Sequence, residues 1–230
     1  MPDLSITMPI YNEGKSILKT AHSLIKELKK NKIDYEVVLV NNGSKDNTDF
    51  YIKKLLKENK RIKRVHVKIN QGYGWGIING LKACTGNYIG WVDGDGQIRP
   101  EDVTSCLKYL KTNREVSFCK GVRKQKYGTP QRKFVSHLFD ILFTMLFFKF
   151  IKDINAKPKI MKKEFYEKLN LKSKRWSIDV ETLIKCIKNN IKIGNIEVEV
   201  LSRTEGKSNV KPIIILEFII ALLKARFGLF

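Results

Sequence analysis

Apolar runs and helical periodicities alternate along the first hundred residues of the chain. The segment 35–40 (YEVVLV) is nearly all apolar, as expected for a strand that is covered on both faces. The segment 15–30 instead carries its apolar residues at the spacing of one helix face. The same patterns predict further strands at 4–8, 64–68 and 88–92, and helices that end at 56 and 83. This βαβαβαβ alternation predicts a parallel sheet with helices on both faces and ligands at the carboxyl ends of its strands.

The second half of the chain continues the alternation less regularly. A helix is predicted at 100–110 because proline stands at its first position, where the missing N–H costs nothing. Further strands are predicted at 116–121, 155–161 and 191–200, with a short helix at 162–169 and another that opens at 174–181. These elements extend the same α/β sheet.

Two segments, 134–151 and 213–223, are more apolar than a helix in contact with a sheet needs to be. An 11-residue helix such as 213–223 reaches about 16 Å, against about 30 Å for the hydrocarbon core of a bilayer. Lys224 and Arg226 follow it, an arrangement that suits a helix lying among lipid headgroups. We therefore predict two membrane-interface helices. The alternative is that both pack as ordinary core helices.

The charge of the chain indicates a polyanionic partner. Its 230 residues include 44 Lys and Arg against 23 Asp and Glu, a formal net charge of +21. Nucleic acid, an anionic membrane surface and phosphorylated substrates all fit this charge, and a solvated surface is the alternative. The four cysteines form no CxxC pair, so neither a zinc site nor a disulfide framework is indicated. The first residues lack the features of a signal peptide, which predicts a cytoplasmic protein.

A candidate metal site follows the predicted strand 88–92. If the chain stays extended there, Asp93, Asp95 and Gln97 point to the same side, because alternate residues of a strand share a face. Their oxygens suit a hard cation such as Mg²⁺ or Mn²⁺. The alternative is a polar turn, since Asp-Gly pairs are ordinary turn formers.

A glycine-rich segment, 70–76 (NQGYGWG), raises the alternative of a dinucleotide-binding turn. That motif requires a different glycine spacing and belongs after the first strand, so a dehydrogenase is not favoured. The glycines are instead predicted to let the backbone pass close to a bound nucleotide or to the aspartate segment.

Four segments together carry a family resemblance: 9–13 (PIYNE), 41–48, 70–80 and 93–97 (DGDGQ). In order and spacing they resemble family 2 glycosyltransferases of the GT-A fold, and most of all the polyprenyl-phosphate sugar transferases of the dolichyl-phosphate mannose synthase type. The resemblance extends to about residue 211. It implies a Rossmann-like, mostly parallel sheet in a domain of residues 1–211. Residues 1–121 would form the nucleotide-sugar half and 122–211 the acceptor half, with 212–230 as a membrane-associated helix.

The resemblance also implies roles for the nucleotide half. It assigns the metal, Mg²⁺ or Mn²⁺, to Asp93, Asp95 and Gln97. It assigns nucleotide binding to Pro9, Tyr11, Glu13, Asn41 and Asp93. The family usually has Asp-Asp where this chain has Asn41-Asn42, and an amide can donate as well as accept. The choice between a GDP-hexose and a UDP-hexose donor therefore stays open.

For the acceptor half, the resemblance implies arginines that bind phosphate, for which guanidinium forks are well suited. Lys120 and Lys124 are taken as general surface charge. Asp179 is implied as a base or a positioning residue, whereas a carboxylate at a helix N-terminus is also stabilising in its own right. The predicted catalytic residues are Asp95, Asp179, Arg123 and Arg132, and the predicted acceptor-phosphate residues are Arg132, Ser136, Arg203 and Lys207.

The resemblance thus implies an inverting, metal-dependent transfer of a hexose from a nucleotide sugar to a polyprenyl phosphate. The expected location is the cytoplasm, peripherally associated with an anionic membrane surface, with no nucleic acid as partner. The first alternative is transfer to a sugar hydroxyl in glycan synthesis, with Asp179 as base. The second, a basic nucleic-acid-binding protein, explains the net charge but gives no reason for the aspartates.

Overall fold

A computed structural model of the chain describes residues 1–124, 130–201 and 213–226. The described residues exclude the side chains of 130–136, 213–216, 218, 221 and 225. The strands are β1 (Leu4–Ile10), β2 (Tyr35–Asn42), β3 (Ile62–Val67), β4 (Tyr88–Trp91), β5 (Phe118–Arg123), β6 (Lys159–Lys162) and β7 (Ile193–Val198). The helices are α1 (Ser16–Lys30), α2 (Thr48–Glu58), α3 (Tyr73–Ala83), α4 (Pro100–Thr112), α5 (Pro130–Phe147), α6 (Lys163–Leu169), α7 (Ile178–Lys188) and α8 (Ile213–Arg226).

The strands form one mixed sheet in the order β3-β2-β1-β4-β6-β5-β7. Strand β6 is antiparallel to both of its neighbours, β4 and β5, and the other pairs are parallel. The mostly parallel, Rossmann-like sheet predicted from the sequence is confirmed. Because β1, β2 and β4 are parallel neighbours or next neighbours, their carboxyl ends lie along one edge, where ligands bind in such sheets.

Each face of the sheet carries its own apolar core. Helices α1, α2 and α4 cover one face, where side chains such as Ile17, Ile52 and Leu107 are buried against the sheet. The other face is covered by α3, α5, α6, α7 and α8. Burying one large aliphatic or aromatic side chain contributes roughly 1.5–3 kcal/mol, so these two layers supply most of the stability that fixes the site edge.

The two apolar helices are partly core helices and partly exposed. Phe139 and Phe143 of α5 are buried, and α8 packs beside α5 and α7 with Leu222 in the core. Exposed large apolar side chains remain on α5, on the turn after it and on α8: Leu138, Ile141, Met145, Phe148, Phe150, Ile220 and Leu223. Helix α5 ends at Phe147 and not at Ile151 as the apolar pattern predicts, since Phe148 adopts a left-handed conformation with φ of 52°. None of the helices in the described ranges is both long and apolar enough to cross a membrane.

Candidate active site

The loop after β1 is fixed by side chains from α2 and from the loop after β2. The Thr48 hydroxyl accepts hydrogen bonds from the backbone N–H groups of Glu13 (3.0 Å) and Gly14 (2.9 Å). The Asn12 N–H donates to the Ser44 hydroxyl at 3.1 Å. This leaves Tyr11 and Glu13 half-buried at the carboxyl edge. Pro9 is buried within β1 and lies below this loop.

Asn41 and Asn42, the last residues of β2, face opposite sides of the sheet, as neighbours in a strand do. The Asn41 amide donates to Asp49 Oδ1 at 2.9 Å and its oxygen accepts from the Ser44 N–H at 2.9 Å. The Asn42 amide donates to the carbonyl of Gly72 at 3.0 Å. Both side chains therefore tie β2 to neighbouring loops.

The carboxylate of Asp49 contacts the Asn41 amide and two basic side chains. Its carboxylate accepts from Asn41, from Lys53 at 3.0 Å and from Arg64 at 2.7 Å. Burial by itself raises the pKa of Asp49, but these donors outweigh it and lower the pKa to about 2. An amide at position 41 thus suits its surroundings, because a carboxylate there would face another carboxylate.

The segment 93–97 is a turn and not an extended chain. Strand β4 ends at Trp91, residues 94 and 95 form a turn, and Gly96 has φ of +74°. The Gln97 N–H donates to Asp95 Oδ1 at 3.1 Å, which closes the turn. The extended geometry predicted from the sequence is wrong at this point, because the Asp-Gly pairs form the polar turn that was the alternative.

The turn still presents a donor set that suits a hard cation. The Asp93 carboxylate accepts a hydrogen bond from the Tyr73 hydroxyl at 2.5 Å, and the Gln97 amide nitrogen donates to the Leu201 carbonyl at 3.2 Å. Among the described residues, no three His, Cys, Asp or Glu side chains form a metal-binding group. Mg²⁺ usually takes one or two carboxylates and completes its shell with substrate phosphates and water. The aspartate pair and an amide oxygen fit that pattern.

The glycines of 70–76 let the backbone approach another segment of the chain, and the predicted approach to a bound nucleotide stays a prediction. A Cβ on Gly72 would lie 2.5 Å from the Lys174 carbonyl, and one on Gly74 would lie 2.2 Å from the Ser173 carbonyl. The backbone that passes close is thus the segment 173–175. A Cβ on Gly76 would lie 3.0 Å from Pro9 and 3.1 Å from Asn42, so α3 packs tightly against the ends of β1 and β2.

Arg123, at the end of β5, is engaged by a buried carboxylate. Its Nε donates to Asp153 Oδ2 at 2.8 Å and its Nη2 to Asp153 Oδ1 at 2.5 Å. The Arg123 N–H also donates to Asp153 Oδ2 at 2.9 Å. Such a bidentate pair fixes the plane of the guanidinium.

Asp179 is buried at the start of α7 between two lysines. Lys157 Nζ donates to Asp179 Oδ2 at 2.7 Å, and Lys159 Nζ donates to Oδ1. Only 2% of Asp179 is exposed. Burial by itself raises the pKa of its carboxyl, but the two ammonium groups outweigh it and hold the pKa below its usual range. Burial also lowers the pKa of Lys159 to about 7, although Asp179 opposes the change.

Lys120 is not the surface charge that the sequence indicated, whereas Lys124 is exposed as predicted. The Lys120 side chain is fully buried and donates to the carbonyls of Gly121, Lys152 and Asp153 at 3.1, 2.7 and 3.0 Å. Burial lowers its pKa to about 8, although Asp153 opposes the change. The prediction for Lys120 fails because two of its three carbonyl acceptors, those of Lys152 and Asp153, belong to a segment about thirty residues away.

Four predicted acceptor residues lie outside what the structure describes. Arg132 and Ser136 belong to α5, but their side chains are outside the described residues, and Arg203 and Lys207 fall in the undescribed range 202–212. Their assignments stay predictions.

Sequence reasoning missed several polar residues of the site. Tyr73 donates its hydroxyl to Asp93 Oδ1 at 2.5 Å, and Lys157, Lys159 and Asp153 hold the buried charges. Tyr73 stands between two glycines near the start of a predicted helix, and this pattern was a signal that could have identified it. The lysines gave none, because lysine is common throughout this chain.

Comparison with known families defines the class of the protein. The model of the family described as glycosyl transferase family 2 matches residues 5–175. The chain therefore belongs to this family, as the four motifs predicted.

The chain is similar to proteins of three organisms. An uncharacterised protein of Methanocaldococcus jannaschii is 33% identical over 171 residues, covering 69% of this chain and 71% of its own length. A dolichyl-phosphate beta-glucosyltransferase of Trichomonas vaginalis is 28% identical and one of Dictyostelium discoideum is 30% identical, each over 85% of this chain. The chain spans 65% of the length of each of these two enzymes.

Solved structures share the fold. A glucosyl-3-phosphoglycerate synthase of Mycobacterium tuberculosis, in complex with phosphoglyceric acid, aligns with a TM-score of 0.78 at 16% identity, covering 98% of this chain and 80% of that one. The same enzyme with Mg²⁺ and uridine diphosphate aligns with a TM-score of 0.74 at 18% identity, covering 99% and 80%. At this level of identity, the likeness shows the GT-A architecture.

Proposed function

We propose that this chain transfers a hexose from a nucleotide sugar to a polyprenyl phosphate at a membrane surface. The observation that carries the proposal is the Asp93–Asp95 turn directly after β4, on the same edge as the Tyr11 loop, in a family 2 fold. The two curated dolichyl-phosphate beta-glucosyltransferases support the acceptor class and make glucose the first sugar to test.

In this proposal, the nucleotide edge binds the donor. Pro9, Tyr11, Glu13 and Asn41 shape the nucleoside pocket, and Asp93, Asp95 and the Gln97 amide oxygen would hold Mg²⁺ or Mn²⁺. When bound, the metal offsets the negative charge of the leaving nucleoside diphosphate. The solved structures that contain Mn²⁺ or Mg²⁺ with uridine diphosphate are consistent with this assignment.

In this proposal, basic residues bind the acceptor phosphate. Arg123, oriented by Asp153, supplies a guanidinium, and Arg132, Ser136, Arg203 and Lys207 complete the proposed phosphate site. An acceptor phosphate oxygen attacks the anomeric carbon from the side opposite the diphosphate. The bond from that carbon to the diphosphate oxygen breaks, its electron pair leaves with the nucleoside diphosphate, and the configuration inverts.

The burial of Asp179 favours a phosphate acceptor over a sugar hydroxyl. A hydroxyl has to lose a proton, whereas a polyprenyl phosphate is already an anion and requires no base. Asp179 is 2% exposed, and its two lysine partners hold its pKa low, so it is poorly placed and too weak to act as that base. We propose that it positions the segments around the site.

We further propose that the exposed apolar residues of α5, of the turn after it and of α8 contact an anionic bilayer. Phe148 is 80% exposed and Phe150 is 74% exposed, in a protein of net charge +21. Aromatic side chains beside lysines, here Lys149 and Lys152, suit the headgroup layer. Residues 1–211 then form the catalytic domain and 212–230 add a second contact with the membrane.

A transfer assay tests the function. The protein is incubated with UDP- and GDP-hexoses and Mn²⁺, with or without a polyprenyl phosphate in detergent, and lipid products are identified by mass spectrometry. A hexose-phospholipid product that requires both substrates is expected. Equal donor turnover with soluble saccharides as the sole acceptor would contradict the proposal.

A vesicle-binding assay tests the membrane contact separately. The double variant Phe148→Ser, Phe150→Ser is expected to lose most binding to vesicles that contain anionic phospholipid, because it removes two large apolar groups from the contact. Phe50→Ser is the matched control, since Phe50 is 65% exposed on α2. Equal binding by both variants would refute the assigned surface.

A further inference from the structure

Tyr73, the first residue of α3, lies at the contact between the aspartate turn and the segment 173–176. Its hydroxyl donates to Asp93 Oδ1 at 2.5 Å. Asp93 stands just beyond the end of β4 and is followed by Gly94 and Gly96, which have no side chains to restrict the turn. A fixed hydrogen-bond donor is therefore an effective way to hold the Asp93 carboxylate in one orientation.

The Tyr73 ring is itself held on two sides. It stacks on Trp176 with ring centroids 4.7 Å apart and an angle of 14° between the planes. Lys157 Nζ lies 5.6 Å from the centre of the Tyr73 ring, and its ion pair with Asp179 fixes its position. Both contacts act on the ring and leave the hydroxyl directed at Asp93.

The backbone around Tyr73 is equally constrained. The N–H of Gly74 donates to the Arg175 carbonyl at 3.1 Å, and the N–H of Trp75 donates to the Lys174 carbonyl at 2.8 Å. The start of α3 is thus joined to the same segment that carries Trp176. The close approach requires glycine at 72 and 74, so Tyr73 is the one side chain of 72–74 that projects from the contact.

We infer that Tyr73 is a positioning residue for the metal and diphosphate site, acting through Asp93. The inference rests on the proposed nucleotide-sugar site, in which Asp93 is a metal ligand. Groups that hydrogen-bond to metal ligands fix their orientation, and their loss typically costs about 10- to 100-fold in metal affinity. The contact with Trp176 also makes the carboxylate orientation depend on the segment that precedes α7.

The test is the affinity for Mn²⁺, measured from the electron paramagnetic resonance signal of unbound Mn²⁺. The titration contains UDP or GDP, whichever the wild-type protein binds more tightly. Tyr73→Phe retains the stacked ring and removes only the hydroxyl, and we expect the Kd for Mn²⁺ to rise about tenfold or more. The unfolding midpoint in urea shows that the variant is folded.

Tyr35→Phe is the matched control. The Tyr35 hydroxyl accepts a hydrogen bond from Asn59 at 2.9 Å, and Tyr35 lies at the start of β2, far from the carboxyl edge. It should lose comparable stability with an unchanged Kd for Mn²⁺. A change in Kd for Tyr73→Phe no larger than that for Tyr35→Phe would overturn the inference. If Asp95→Ala also leaves the Kd for Mn²⁺ unchanged, the proposed metal site is refuted, and the inference is refuted with it.

Discussion

The proposed nucleotide side and the proposed acceptor side of the site are built in opposite ways. On the nucleotide side, each candidate residue stands at or just after the end of its own strand: Tyr11 after β1, Asn41 in β2 and Asp93 after β4. On the proposed acceptor side, two ion pairs, Arg123 with Asp153 and Lys157 with Asp179, each join segments that are distant in sequence.

The difference teaches which part of a site follows from local sequence. Strand direction alone brings the loops of the nucleotide side to one edge, so motif order is sufficient to predict it. The acceptor side depends on tertiary pairing, because buried lysines are tolerated only when carboxylates or carbonyls satisfy them. Its stability should therefore be far more sensitive to loss of a single charge.

The largest effect on stability is expected for Asp179→Ala. Removing this carboxylate leaves Lys157 and Lys159 buried without their charged partner, and breaking a buried ion pair costs about 3–5 kcal/mol. The free energy of unfolding in urea measures the loss. The control is Asp34→Ala, which breaks an exposed pair with Arg61 and should cost less than about 1 kcal/mol. Equal losses in the two variants would erase the distinction between the sides.

A smaller loss, about 2 kcal/mol, is expected for Asn41→Asp on the nucleotide side. The change removes the donor to Asp49 and places two carboxylates in contact, although Arg64 and Lys53 neutralise part of that charge. The double variant Asn41→Asp, Asp49→Asn exchanges donor and acceptor and should recover most of the stability. Additive losses in urea unfolding would show that the two side chains do not interact.

The same comparison shows which features of the two sides can be predicted from the sequence. The strands of the nucleotide edge, the helices between them and the aspartate pair followed from periodicity and four motifs. The sequence shows that the amide at position 41 departs from the family pattern. Its structural reason, the contact with the Asp49 carboxylate eight residues later, is visible only in the fold. The burial of Lys120 and Asp179 could not be predicted, since hydrophobic patterning carries no information about which charges are buried together.

The smallest effect, a gain of about 1 kcal/mol, is expected for Asp102→Asn near neutral pH. Asp102 Oδ2 is buried, with no hydrogen-bond partner within the described residues, and burial raises the pKa of this carboxyl to about 6. Between pH 4 and 6, the folded wild-type protein binds more protons at Asp102 than the unfolded chain, so its stability falls as pH rises through this window. An amide cannot ionise and avoids that loss.

Thermal unfolding at two pH values checks this prediction. The variant should exceed the wild-type Tm by about 2–4 °C at pH 7.5 and by little at pH 4. A gain of the same size at both pH values would show that ionisation of Asp102 is not its cause.

The most direct test of the account is the rate of hexose transfer by Asp95→Ala. If the turn after β4 holds the metal that stabilises the leaving diphosphate, transfer to polyprenyl phosphate with Mn²⁺ should fall at least about a hundredfold, while the unfolding midpoint stays close to that of the wild type. The wild-type protein in chelator should show a comparable loss. Full transfer by Asp95→Ala in the presence of chelator would contradict the account.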